Sequence, residues 1–363
     1  MSTSTTKRKA HTYKKAGAGN NGESAQERAW NLFAELMIER IEAINQDWKK
    51  PWFTEGLSTW PMNMSGRRYN GANSFMLLLH CEKQGYKYPV FCTFDRVMGL
   101  NYNRTPQGTV PAVDANGEKL PQVHVLKGEK SFPVFLTCFT VVEKDTKNKI
   151  PYEQYKQLSP EEQQKYIVYP KSIVYNVFNI DQTNMQEARP ELYEQIVKDC
   201  GGSKPKHEGN GFHFAPLDRM IAENLWICPI TPKHGDDCFY SISKKAITVP
   251  EYEQFIDGES FYNNLLHEMS HSAGAEEYLN RLKPSAFGSP EYIREECVAE
   301  MTSALVCQYY GMDKHIKEDS AAYLKSWLKS LKEDASFIKT VLYDVKRCAA
   351  FLTQRIDQVA ALE

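Results

Sequence analysis

Two histidines four residues apart, with a glutamate between them, form the most chemically specific segment of the sequence: His267-Glu268-Met269-Ser270-His271. On a helix, positions i and i+4 share a face with Cβ atoms about 5–6 Å apart, which suits two imidazoles on one tetrahedral Zn²⁺. Glu268 can take a proton from a metal-bound water, as in the H-E-x-x-H arrangement of metallopeptidases. Phe261, Tyr262, Leu265, Leu266 and Met269 give the segment a broad apolar face. The helix should therefore be buried, and two buried histidines without a cation would be costly. Gly274 reads as its C-terminal cap.

A third ligand is needed. Glu295, Glu296 and Glu300 stand close together in Arg-Glu-Glu-Cys-Val-Ala-Glu. Glu296 and Glu300 share a helix face with Ile293, Cys297, Ala304 and Cys307, so both should point inward, where carboxylates need a cation or donors. Glu296 is the expected third ligand, and Glu300 the expected partner of a histidine's free ring N–H. Glu295, about 100° around the helix, is the rival ligand. Two imidazoles and a carboxylate leave a position for water, and the chemistry is metal-assisted hydrolysis with Glu268 moving the proton. Tyr240 and His315 are candidate oxyanion donors, and Ala246–Val249 is a candidate edge strand for an extended peptide.

The elements that must position these residues follow from periodicity. Helical patterns cover about 259–273, 290–311 and 319–357, the last broken near Asp334. Phe239–Ile242 and Ala246–Val249 read as short strands ahead of them. In the front half, Trp30, Phe33, Ala34, Met37, Ile38, Ile41 and Ile44 mark a helix ending near Asn45, and Ser74–His80 a short buried one. Val90–Phe94, Ser131–Val142 and Ser172–Ile180 read as strands, with 143–170 a polar loop or insertion. Within it, Ser159-Pro160-Glu161-Glu162 is a helix-start signal. The fold class is α+β, in two domains: a disordered basic tail over 1–28, a front domain over 29–198, a linker over 199–213, and a mostly helical domain with a small sheet over 214–363.

The chain has 363 residues, long enough for two domains. Its 42% hydrophobic and 25% charged content excludes a mainly disordered chain. No apolar run reaches the roughly 18 residues that span a bilayer, and no apolar segment opens the chain as a secretory signal would. Nine scattered cysteines without a CxxC pair suggest reduced thiols and a cytoplasmic location. The net charge of −2 hides an asymmetry. Residues 1–150 hold 21 Lys+Arg against 14 Asp+Glu, and residues 151–363 hold 23 against 32.

The basic front half interleaves cations with aromatics: Lys49, Lys50 and Trp52, then Arg67, Arg68 and Tyr69, then Lys127 and Lys130. Basic grooves with aromatic platforms bind single-stranded nucleic acid. Trp48–Trp52, Pro61-Met62-Asn63, Arg68–Asn73, Thr93-Phe94 and Leu126–Lys130 resemble the front domain of ArdC-type antirestriction proteins. Val177–Gln182 resembles that family's segment between domains, and His267–Gly274, Arg294–Leu305 and Tyr323–Leu331 its zincin-like metallopeptidase domain. The resemblance implies a single-stranded-DNA-binding domain followed by a zinc metallopeptidase-like domain, in a protein of a mobile element that shields incoming DNA from host restriction. It carries the metal pattern onto His267, Glu268, His271 and Glu296. Two other readings stay open on the residues alone: a metallopeptidase with a front docking module, and a protease of DNA-bound or host defence proteins.

Overall fold

The structure, a computed structural model, describes residues 24–46, 53, 60–200, 211–255, 257–312, 318–333 and 336–362. It is α+β, with the larger sheet in the N-terminal half and four helices closing the C-terminal half. The first helix spans Ala25–Gln46. Ser24 starts it: its hydroxyl accepts from the Glu27 N–H at 3.1 Å, and the Glu27 carboxylate accepts from the Ser24 N–H at 2.6 Å. Helix therefore begins inside the segment expected to be tail, and Ser-x-x-Glu at 24–27 is the signal for it. Residues 1–23 of that tail lie outside the described residues, as does most of the expected linker. Phe33, Met37, Ile41 and Ile44 are fully buried along one stripe of the helix.

The larger sheet has the order Met62–Asn63, Val90–Cys92, Tyr166–Asn179, Phe132–Glu143, Lys149–Ile150. Its two long strands pair antiparallel from Phe132↔Val177 to Glu143↔Tyr166. Two expectations change here. The strand at Val90 stops at Cys92, because the Thr93 hydroxyl accepts from the Arg96 N–H and caps a helix over Phe94–Gly99. The strand expected from Ser172 begins at Tyr166, inside the stretch read as loop. Most of its added residues are exposed, so no alternation of apolar side chains marked them. Ser159 does cap a short helix, Pro160–Gln163, with the full reciprocal pair.

In the C-terminal half, Ala246–Pro250 lies between Ile230–Lys233 (parallel) and Phe239–Ser241 (antiparallel). Ala246–Val249 is thus the middle of the small sheet, with Ile247 and Val249 fully buried, and Ile230–Lys233 and Phe239–Ser241 are its edges. Four helices follow: Gly258–Ala273, Pro290–Tyr310, Glu318–Glu333 and Ser336–Ala360. Asp257 caps the first of them through its carboxylate and Ser289 the second through its hydroxyl.

One core runs through both halves. The first helix packs on Ala72–Gln84 and also on the last two helices. Its buried stripe joins Phe75–Leu79, Phe132, Leu265, Met301, Trp327 and Leu342 in a single apolar cluster. Phe33 is fully buried and stacks on Phe132 at 5.5 Å between centroids. Phe33→Ala should cost about 3–5 kcal/mol. Because the core is shared, calorimetry should show one transition for the whole chain moving to lower temperature, rather than loss of a front-domain transition alone.

Candidate metal centre

The metal candidates come from two packed helices, Gly258–Ala273 and Pro290–Tyr310. An i, i+4 pair on each faces the other: His267 and His271 on one, Glu296 and Glu300 on the other. His267 Nε2 and His271 Nε2 are 3.2 Å apart. Glu296 Oε2 lies 3.4 Å from the first, and its Oε1 3.5 Å from the second. Ligands about 2.0–2.1 Å from a tetrahedral ion sit ~3.3 Å from one another, so this triangle has the size a divalent cation requires.

The outer ring nitrogens meet carboxylates. His271 Nδ1 is 3.1 Å from Glu295 Oε1, and His267 Nδ1 is 3.3 Å from Glu300 Oε2. The His267 contact is close but outside hydrogen-bond alignment, which leaves that buried nitrogen without a bonded partner. A carboxylate at each Nδ1 favours the tautomer with its proton there, so both Nε2 lone pairs point at one spot. Burial opposes charge on Glu295 and Glu296. The Arg281 guanidinium and His271 beside the first, and the two imidazoles beside the second, outweigh it and hold both carboxyls at about 2. Burial likewise opposes an imidazolium at His271, yet Glu295 and Glu296 push its pKa up to about 8. The cluster is acidic, and the positive charge it calls for can be a proton on His271 or a cation held by both Nε2 atoms.

Glu295, the rival ligand, faces the other side of His271. Arg281 grips it twice, Nε to Oε2 and Nη2 to Oε1, both at 2.7 Å, and also donates to the Ser270 carbonyl at 2.8 Å. Gly274 leaves room for this close return. A Cβ there would lie 3.0–3.1 Å from the His271 carbonyl, Arg281 Nη2 and Leu282 Cβ, tighter than ordinary contact, so a side chain would push the returning loop outward by a few tenths of an ångström. The Gly274 carbonyl then accepts from the Arg281 and Leu282 N–H groups at 2.8 and 2.7 Å. Arg281 had no spacing signal in the sequence; it stands in a loop, and only the return of that loop brings it to Glu295.

Glu268 is buried, 4% exposed, beside the edge strand. Its Oε2 accepts from the Tyr240 N–H at 3.0 Å, and its Oε1 lies 3.6 Å from the Cys238 sulfur. Tyr240 thus reaches the site through its backbone, while His315 lies outside the described residues.

The front-domain candidates divide. Lys49, Lys50 and Trp52 lie outside the described residues. Arg67 and Arg68 are exposed on a turn built by Asn63, whose Oδ1 accepts from the Ser65 and Arg67 N–H groups at 3.0 Å. The Arg68 guanidinium sits 5.3 Å from the centre of the Tyr309 ring. Tyr69 turns inward, edge-on to Phe91, and burial raises its hydroxyl pKa to about 12. Lys127 and Lys130 are exposed on another loop, where the Lys130 carbonyl accepts from the Gln182 side chain at 2.9 Å. Among the described residues no helix is long and apolar enough to cross a membrane.

Residues 27–178 match the family described as the N-terminal domain of anti-restriction factor ArdC, and residues 223–341 the family described as zincin-like metallopeptidase. Fold and sequence together therefore define a two-domain chain with a zincin-like metallopeptidase domain behind an N-terminal domain of ArdC kind. In this domain pair the chain is similar to ArdC-type proteins. Crystal structures of the antirestriction ArdC protein from plasmid R388, metal-free and Mn(II)-bound, share its fold with a TM-score of 0.59 at 22% identity, covering 90% of this chain and 98% of theirs. A DNA primase TraC of Escherichia coli is 27% identical over 92% of this chain, and the chain spans only 20% of that primase. An uncharacterized protein of Sinorhizobium fredii is 25% identical over 87% of this chain and 88% of its own length.

Removing the Arg281 charge tests how the site is supported. Arg281→Met leaves Glu295 buried without its main counter-charge, and should lower stability by about 3–5 kcal/mol in urea denaturation.

Proposed function

We propose that this is an antirestriction protein of a mobile element, which holds single-stranded DNA on its front domain and a zinc ion on His267, His271 and Glu296. The reading rests above all on the convergence of those three side chains, at 3.2–3.5 Å from one another, beside a buried Glu268. Two imidazoles and one carboxylate form a donor set that suits Zn²⁺ and leaves a fourth position for water. The related plasmid protein bears the name antirestriction and binds Mn(II), and the Escherichia coli relatives are DNA primases, which supports a DNA-handling role on mobile DNA.

When bound, the metal supplies a water of pKa about 7 and polarises a carbonyl. The chain's own residues do the rest. Glu295 aims the His271 imidazole through its Nδ1, and Glu300 stands 3.3 Å from the His267 Nδ1, placed to take up its proton. Glu268, held by the Tyr240 N–H and the Cys238 thiol, accepts the proton of the attacking water and passes it to the leaving amine. The outer edge of Phe239–Ser241 is the strand an extended peptide would pair with, in place of the buried Ala246–Pro250. None of the nine cysteines forms a disulfide, which supports a cytoplasmic location.

Elemental analysis of the zinc-loaded chain should find one ion, lost in His271→Ala and Glu296→Ala. Glu300→Gln should bind it about 10–100-fold more weakly. A wild-type chain without metal would sink the assignment. Glu268→Gln should keep the ion while cleavage of a quenched-fluorescence peptide library falls about 10²-fold or more. For the DNA, Arg67→Ala with Arg68→Ala should weaken binding of a single-stranded oligonucleotide and flatten its salt dependence by about 0.7 per lost phosphate contact.

A further inference from the structure

A cavity of about 560 Å³ lies where the front domain meets the last helix, Ser336–Ala360. Its chemistry is mixed in a particular way. On the front-domain side, Trp30 and Phe135 stack at 4.3 Å with an interplanar angle of 20°. On the helix side stands Tyr343, 62% exposed, with the Arg347 guanidinium 5.6 Å from its ring centre. Lys339 and Lys346 flank Tyr343 and are exposed, and among the described residues neither has a carboxylate partner. The single acid on this rim, Asp344, is already engaged by Arg294 at 2.5 Å and by Arg347 at 3.8 Å. The cavity is therefore cationic, although all its charged side chains come from the acidic half of the chain.

It also continues the basic turn of the front domain. Asn70, which lines it, follows Arg67-Arg68-Tyr69 directly. Gly71 presses its backbone on the Lys346 stem so closely that a Cβ would lie 2.4 Å from Lys346 Cγ. With Arg68 over Tyr309, the turn rests on two helices of the metallopeptidase domain.

We propose that this cavity receives one nucleotide of the bound single strand, its base between Trp30 and Tyr343 and its phosphate against Lys339 and Lys346. The DNA path then crosses from the front domain onto the metallopeptidase domain. This rests on the DNA-binding reading above. Aromatic faces with free cations are the chemistry that holds an unpaired nucleotide, whereas a base inside a duplex cannot enter.

The test is fluorescence anisotropy of a labelled oligo-dT with the full chain across a salt series. Tyr343→Ala and Lys339→Glu replace exposed side chains, and bound metal reports that the fold is kept. Each should weaken single-strand binding by about 10-fold, with Lys339→Glu also reducing the salt slope. Duplex binding should not change. If both variants bind as wild type does while Arg67→Ala/Arg68→Ala is weakened, the cavity proposal falls and the front-domain reading stands. If the cavity variants weaken and the Arg67/Arg68 variant does not, the cavity stands and the assignment of that turn falls. Absence of single-strand binding by the wild type overturns both, and equal losses on duplex overturn base insertion.

Discussion

Two buried imidazoles whose Nε2 atoms lie 3.2 Å apart, with a carboxylate completing the triangle, call for positive charge at that point, which a shared proton or a cation supplies. Much else in the C-terminal half serves that constraint. The two helices that carry the candidate ligands are packed so that one i, i+4 pair meets another. That register sends Glu296 to the inner nitrogens and Glu300 to the outer nitrogen of His267. Arg281, returned under the helix end by the space at Gly274, keeps Glu295 ionised beside His271. The edge strand supplies the N–H that holds Glu268. Acidic side chains accumulate here because each is balanced by a neighbour: Arg281 beside Glu295 and the two imidazoles beside Glu296.

The two halves of the chain are not beads on a string. The first helix lies on the last two, and its buried stripe belongs to the same core as Gly258–Ala273. Lys332 reaches back to Glu42 at 2.8 Å, and Trp327 donates to the Ile293 carbonyl at 3.0 Å. The turn that carries Arg67 and Arg68 is thus built on the same packed body as the helix of Glu295 and Glu296. Arg294, their neighbour in the chain, lines the cavity between the halves.

Long helices were legible because burial imposes a 3.6-residue apolar period on them, and the extents of Gly258–Ala273 and Pro290–Tyr310 follow from that period and from their caps. The early start at Ala25 was missed although Ser24 and Glu27 spell the capping signal, since the surrounding tail is polar. The exposed half of Tyr166–Asn179 gave no alternation to read. Ala246–Val249 was legible as a strand, but edge or centre depends on which partners flank it, and two short strands distant from the motif decided that.

By itself, the sequence determined the chemistry available: two histidines and a glutamate on one helix face, carboxylates on another, because spacing along a helix fixes which side chains share a face. Tertiary structure alone decided which neighbour faces which partner. Glu295 and Glu296 are adjacent in the chain and equal in chemistry, yet about 100° of helix rotation turns one toward Arg281 and the other toward both imidazoles. It alone also brought Tyr240 to Glu268 and Lys346 to Gly71, since contacts between segments far apart in sequence depend on packing that no local pattern encodes.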